Sequence, residues 1–447
     1  MKRIPVLKRR TPKERNFWLE SRSPIENTIK FYFPGRLNLK MSIEEGGMKK
    51  GYFWIILSVL WISFVSFSTA ETFQEKPLAE IYKTGKIKLI PEIIITDASM
   101  SGKDFFVGPT DIALDDKGAL YICDMSDNNI KKFNAKGTFL KTIGKTGQGP
   151  GDFNTPIEIE IVGERLYVRE LGNERFSVLN LEGVFVESFS LPRLSLSLPR
   201  QGEIWWKTKS LPDGRFVVHK EKMDYENLNA PHECVVDLYS HDLEPIKTIY
   251  RRQIRLNKYI TEPRRINVPI PFAPNISWEV TPGGKIIIGY TEKYEIEIHD
   301  PDKGKLSAFS HATKPSEVME KDKEDYFKGL GFVAGSVGGG TKTVRKEAPD
   351  YIVKNSEFPK YYPAYRGVKV DAEGNLWVLP YYRKNPKDPS PLFDVFDQNG
   401  VFNNSVRIEG EVDFPWIAAW TPRGFWQIIE DEDGEYKIIK YRISELR

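Results

Sequence analysis

Six times the chain repeats one short pattern: polar turn residues ending in or near glycine, then an apolar, often aromatic, run. It reads Asp115-Asp116-Lys117-Gly118-Ala119-Leu120-Tyr121-Ile122, then Val162-Gly163-Glu164-Arg165-Leu166-Tyr167-Val168. It recurs at Leu211-Pro212-Asp213-Gly214-Arg215-Phe216 and Thr281-Pro282-Gly283-Gly284-Lys285-Ile286. The last copies are Asp371-Ala372-Glu373-Gly374-Asn375-Leu376 and Thr421-Pro422-Arg423-Gly424-Phe425-Trp426. At their closest the copies lie roughly fifty residues apart, the length of a propeller blade. A second glycine hairpin follows in most copies, as in Phe133-Asn134-Ala135-Lys136-Gly137, Leu179-Asn180-Leu181-Glu182-Gly183 and Phe396-Asp397-Gln398-Asn399-Gly400. Two hairpins per repeat make a four-stranded antiparallel blade, so the expected fold is all-β, a six-bladed β-propeller.

The sixth copy supplies only three strands before the sequence stops. Lys86 to Ile95, an unassigned strand ahead of the first copy, is expected to complete the last blade and close the ring, which removes an open edge. Copies four and five lie nearly two blade lengths apart. Residues 310–365 between them read as a helix and loop insertion, with a helix opening at Ser316, a face of Val318, Met319, Tyr326 and Phe327, and an end at Gly329.

Composition agrees with such a fold and excludes several functions. Of 447 residues, 40% are hydrophobic and 28% charged, which fits neither a disordered chain nor a polytopic membrane protein. The net charge of +3 speaks against a nucleic-acid partner. Two cysteines make no disulfide scaffold; Cys123 and Cys234 sit in apolar runs and read as buried packing residues.

Residues 1–47 are basic, rich in proline and without apolar periodicity. Residues 48–70 have the layout of a signal peptide: Met48-Lys49-Lys50, an apolar run from Tyr52 to Phe67, then Ser68 and Ala70 at −3 and −1. Two readings stand. Met48 is the initiator and the preceding residues are an over-extended gene start, a reading helped by Glu44-Glu45-Gly46-Gly47, whose codons can spell a purine-rich ribosome-binding sequence. Alternatively Met1 is the start, and a basic tail precedes a single uncleaved anchor over 52–67. Both place the propeller, residues 80–447, outside the cytoplasm, periplasmic or extracellular. The membrane is then touched only if the segment is not cleaved.

Gly137-Thr138-Phe139-Leu140-Lys141-Thr142-Ile143-Gly144, running into Gly147-Gln148-Gly149-Pro150-Gly151-Asp152-Phe153-Asn154, resembles the inter-blade linker of NHL-repeat propellers. Tyr121-Ile122-Cys123-Asp124 with Asn128-Asn129-Ile130-Lys131-Lys132-Phe133 resembles the second and third strands of that family. Phe358-Pro359-Lys360-Tyr361-Tyr362-Pro363 before Val368-Lys369-Val370-Asp371 is similar to exported bacterial six-bladed propellers of unassigned function.

Two motifs dissolve on inspection. Gly335-Ser336-Val337-Gly338-Gly339-Gly340-Thr341 lacks the lysine spacing of a phosphate loop. Glu430 to Glu435 lacks the spaced ligands of a calcium loop and reads as a hairpin turn.

The leading functional expectation is a non-catalytic recognition or scaffold module, monomeric, taking a protein, peptide or carbohydrate ligand on the face where second-to-third strand loops open. The candidate binding residues are Arg169, Glu170, Arg175, Tyr381, Tyr382 and Arg383, because arginine beside aromatic rings suits interface and carboxylate or sugar recognition. Arg251, Arg252, Arg264 and Arg265 in the connections, with Trp205 and Trp206, extend the set. The rival reading is a metal-dependent hydrolase or lyase with calcium or zinc at the central channel. No cofactor is expected on the leading reading, and the five histidines do not fall at equivalent blade positions.

Overall fold

In the computed structural model each of the six turn motifs closes an antiparallel hairpin. The local chemistry is plain in the first: Asp115 Oδ1 accepts the backbone N–H groups of Lys117 and Ala119 at 3.0 and 2.8 Å. Gly118 then takes φ of 78°, which a side chain would resist. Asp371 does the same for Glu373 and Asn375, and Asn134, Asn180 and Asp397 repeat it in the second hairpins.

The structure describes residues 28–32 and 38–42, and from 76 onward all but 101, 103–104, 192–202, 225–226, 261–265, 330–349, 382–389, 410–416, 432–433 and 447. The chain separates into residues 1–75 and 76–447. In the first unit Thr28–Tyr32 pairs antiparallel with Asn38–Ser42. The signal-like segment 48–70, the glycine-rich stretch 331–340, Tyr382, Arg383, Arg264 and Arg265 lie outside the described residues. Among the described residues no helix is long and apolar enough to cross a membrane.

The second unit is a propeller of mostly four-stranded antiparallel sheets. Blade one is Pro109–Leu114, Leu120–Asp124, Asn129–Phe133 and Phe139–Ile143. Blade two is Pro156–Val162, Arg165–Glu170, Arg175–Asn180 and Phe185–Ser190; blade three is Glu203–Ser210, Phe216–Lys222, His232–Tyr239 and Pro245–Ile254. Blade four is Ile276–Val280, Ile286–Tyr290, Glu295–Asp300 and Gly304–Ser310; blade five is Tyr365–Val370, Leu376–Pro380, Leu392–Phe396 and Phe402–Ile408. Blade six has Ala418–Thr421, Gly424–Glu430 and Tyr436–Glu445 from its own repeat, and Lys86–Ile95 as its outer strand. That strand pairs antiparallel from Ile87 against Glu445 to Ile95 against Ile438, and its first residues also run parallel to Arg407 and Ile408 of blade five.

Burial follows the layering. Second strands are covered on both faces, as in Leu120–Asp124, and outer strands are partly exposed. Leu120 and Ile122 pack with Trp426 and Ile438 of blade six, while Tyr121 and Cys123 pack with Ile159, Leu166 and Val168 of blade two. Both cysteines are buried and free. A short helix, Leu78–Tyr82, sits in the core shared by blades five and six, and buried Tyr82 donates to Asp371 at 2.9 Å.

The insertion departs from expectation at its start. Its helix runs Glu320–Gly329, not from Ser316, because the preceding backbone is already paired: Val318 N–H donates to the Lys360 carbonyl and Tyr362 N–H to the Ser316 carbonyl. A second helix, Asp350–Asn355, and a two-stranded ribbon, Asn257–Ile260 with Ile266–Pro269, add a small core around Ile260, Val268 and Ile352.

Candidate functional site

The inner strands enclose a cavity of about 720 Å³. Strand register sets which side chains meet there. Asp111, Glu158, Lys207, Ser277 and Gly367 occupy equivalent positions in blades one to five, and Ile417 lies just ahead of the blade-six pairing, which begins at Ala418. Two residues further along each strand lie Ala113, Glu160, Lys209, Glu279, Lys369 and Ala419, all lining the cavity.

Many of these side chains reach across to the next blade. Asp111 accepts the Ile159 N–H at 2.9 Å, Glu158 the Thr208 N–H at 2.8 Å, and Ser277 the Val368 N–H at 2.9 Å. Glu160 accepts from Ser210 and pairs with Lys209 at 2.8 Å. Glu279 takes two lysines, Lys207 at 2.7 Å and Lys369 at 2.9 Å. The inner strands thus meet through side-chain contacts, and the channel wall is an ion-pair network.

Burial perturbs these groups in ways that suit binding or proton exchange. It pushes the Asp111 carboxyl up to about 6, against the pull of Lys209. It pushes Lys207 down to about 8; Glu279 opposes this, and Lys369 and Lys209 add to it. Glu279 stays well below the usual carboxylate range because its two lysines outweigh its burial. His219 is driven down to about 4 by burial and by Lys207, so its imidazole is neutral near pH 7.

One mouth is shaped by irregular pairing. Register shifts interrupt the inner strands between Pro109 and Asp111, Pro156 and Glu158, Trp205 and Lys207, and Tyr365 and Gly367. The extra residues are Thr110, Ile157, Trp206 and Arg366, and all four line the cavity. A bulge turns its extra side chain out of the ladder. Trp206 is accordingly 55% exposed, and its Nε1 donates to Glu221 Oε2 at 2.5 Å. Glu221 in turn contacts His232, both buried.

The residues singled out from sequence fall in four places. Arg169 is in the cavity wall, buried, bound to Glu158 at 2.7 Å and donating to the Trp205 and Trp206 carbonyls. Glu170 is buried, and with Arg175 it fixes the linker to blade two: Glu170 accepts from Asn154, Asn173, Ser177 and Arg175, and Arg175 donates to the Gln148, Gly149 and Asp152 carbonyls. Tyr381 stacks on Tyr362 of the insertion at 4.8 Å, with Arg366 over its ring. Arg251 and Arg252 lie on the outer strand of blade three rather than in a connection. Sequence reading missed Lys207, His219, Trp278 and Arg366. A usable signal was present, since charged residues recur two and four positions before the inner turn in Glu158-Ile159-Glu160 and Lys207-Thr208-Lys209.

Residues 103–260 match the model of a family described as 6-bladed beta-propeller, DUF5128. No curated protein matches the chain. Similar solved structures include a protein from Bacteroides fragilis described as exported, 12% identical, covering 80% of this chain and 95% of that one with a TM-score of 0.47. A DUF4221 member from Bacteroides vulgatus is 9% identical, covers 81% and 100%, and has a TM-score of 0.46. Virginiamycin B lyase from Staphylococcus aureus is 11% identical, covers 80% and 99%, and has a TM-score of 0.38.

Proposed function

We propose that this protein is an exported, monomeric, non-catalytic recognition module that takes its ligand at the bulged mouth of the central channel. The observation that carries this reading is Trp206, an indole held by Glu221 yet largely exposed over a polar cavity. Rigid aromatic surface beside hydrogen-bonding groups is the composition of binding hot spots. Arg366 stands at the same mouth, and Arg169 lies in its wall. Tyr381, stacked on Tyr362, extends the surface toward the insertion; Tyr382 and Arg383, which follow it in sequence, are proposed to take part in binding as well. Glu170 and Arg175 support it by holding the linker in place. The ligand is a protein, a peptide or a carbohydrate; the near-neutral chain does not suit nucleic acid.

The rival metal-dependent hydrolase or lyase would need carboxylates free to take calcium or zinc. Glu158, Glu160 and Glu279 are already answered by Arg169, Lys209, Lys207 and Lys369, which favours recognition. Among the described residues no group of three His, Cys, Asp or Glu side chains is placed to hold a metal ion. A glycan and peptide binding screen on wild type and Trp206→Ala, with melting temperature measured on both, tests the proposal. Loss of a ligand at unchanged melting supports it; a ligand bound equally by both proteins places recognition elsewhere.

A further inference from the structure

The two walls of the channel differ in kind. Blades one to five carry an ionisable side chain on the lining, Asp111 in blade one among them, whereas blade six presents Ile417 and Ala419, with Ala113 of blade one beside them. Ile417 is 40% exposed, an apolar surface without cover.

On the charged wall, polar capacity is unspent around one residue. Lys207 and His219 are direct cross-strand partners in blade three. The Lys207 ammonium donates to the Trp278 carbonyl at 2.9 Å and to Glu279 at 2.7 Å, and lies over the Trp278 ring. That uses two of its three protons. His219, 7% exposed, and Trp278, 3% exposed, both line the cavity, and neither His219 Nε2 nor Trp278 Nε1 has a hydrogen-bond partner. Buried nitrogens are rarely left so, and an indole nitrogen can only donate. Neutral imidazole can also donate, so the lining around Lys207 holds N–H groups on His219 and Trp278 with no acceptor, beside the third proton of the ammonium.

From this geometry we infer that the channel binds an organic monoanion, a carboxylate on an apolar body. Its oxygens are met by Lys207, His219 and Trp278, and its body lies against Ile417 and Ala419. A second negative charge would crowd Glu279, Glu158 and Glu160, which disfavours phosphate. This ligand class rests on the recognition reading above and sharpens it.

The test is a titration of the intact protein, followed by tryptophan fluorescence and calorimetry, with octanoate and phenylacetate, each beside its uncharged amide, and with inorganic phosphate. A carboxylate should bind one to one and at least about tenfold more tightly than its amide, with phosphate weaker. Lys207→Met, which leaves Glu279 paired to Lys369, should weaken it about tenfold or more. Ile417→Asp, at an exposed position that keeps the fold even if the lysine variant does not, should do the same by repulsion. Amides binding as well as acids, phosphate binding better, or indifference to both substitutions overturns the inference. If neutral sugars or peptides bind through Trp206 while carboxylates do not, the monoanion is wrong and recognition stands; if no class binds, both fall.

Discussion

Asp111 of blade one accepts the backbone N–H of Ile159 in blade two at 2.9 Å, from a buried site that pushes its carboxyl up to about 6. The unfolded chain releases this proton near 3.8, the ordinary value for an aspartate. Between those values the folded state holds the extra proton, so stability from this group falls as pH rises from about 4 to about 6 and stays lower above. Asp111→Asn keeps an acceptor for Ile159 and removes the charge. Its melting temperature should match or exceed that of wild type at pH 7.5, and the difference should shrink toward pH 4. A variant that melts well below wild type at pH 7.5 would show that the carboxylate itself holds the junction.

Carboxylate binding should carry its own pH signature. Lys207 faces Glu279, Lys369, Lys209 and His219, and its pKa lies at about 8. A ligand anion favours the ammonium, so affinity should be flat below pH 8 and fall by up to about tenfold per unit above it, as a proton must be taken up. Calorimetry in two buffers of different ionisation enthalpy reads that uptake directly, and Lys207→Met should abolish it.

Ring closure can be probed at the ends of one strand. Ile87 and Ile95 are buried at opposite ends of the pairing with Tyr436–Glu445. Replacing either by alanine should cost roughly 2–5 kcal/mol in chemical denaturation, as for other fully buried aliphatics. A cost below about 1 kcal/mol for both would mean that the strand docks without holding the ring.

Tyr82 and Asp371 form a buried hydrogen bond between the helix ahead of the ring and the turn of blade five. Tyr82→Phe should destabilise by about 1–3 kcal/mol, since Asp371 loses a donor it cannot replace with water. Asp371 keeps Asn375 as a donor, so the effect should be partial. Denaturant midpoints of the single and double variants with Asp371→Asn would report the coupling.

The hairpins were legible in the sequence because their chemistry is local: Asp or Asn, two residues, glycine. Counting strands also singled out Lys86–Ile95, which pairs antiparallel with Tyr436–Glu445. The insertion helix was misplaced at its start because Ser316 to Val318 pairs with Lys360 to Tyr362, a partner distant in sequence. The channel was harder still. Trp206 and Arg366 reach its mouth through bulges, and no local pattern announces an extra residue in a strand. Glu170 and Arg175 have the composition of a binding patch, yet their hydrogen bonds go to the linker of blade two, and only three-dimensional contact distinguishes the two uses.

Because Lys86–Ile95 pairs with the last strand of the chain, one of the first pieces of the ring to be made waits for the last. Glu92 and Arg442, bonded at 2.8 Å, stand 350 residues apart. At ~5–20 residues per second, synthesis leaves that strand without its partner for roughly twenty seconds to a minute. Lys-Ile-Lys-Leu-Ile-Pro-Glu-Ile-Ile-Ile would be a hazardous segment to leave exposed so long. Its two lysines, Glu92 and Pro91 interrupt the apolar run where a foreign strand would add, and they serve the nascent chain as much as the finished ring.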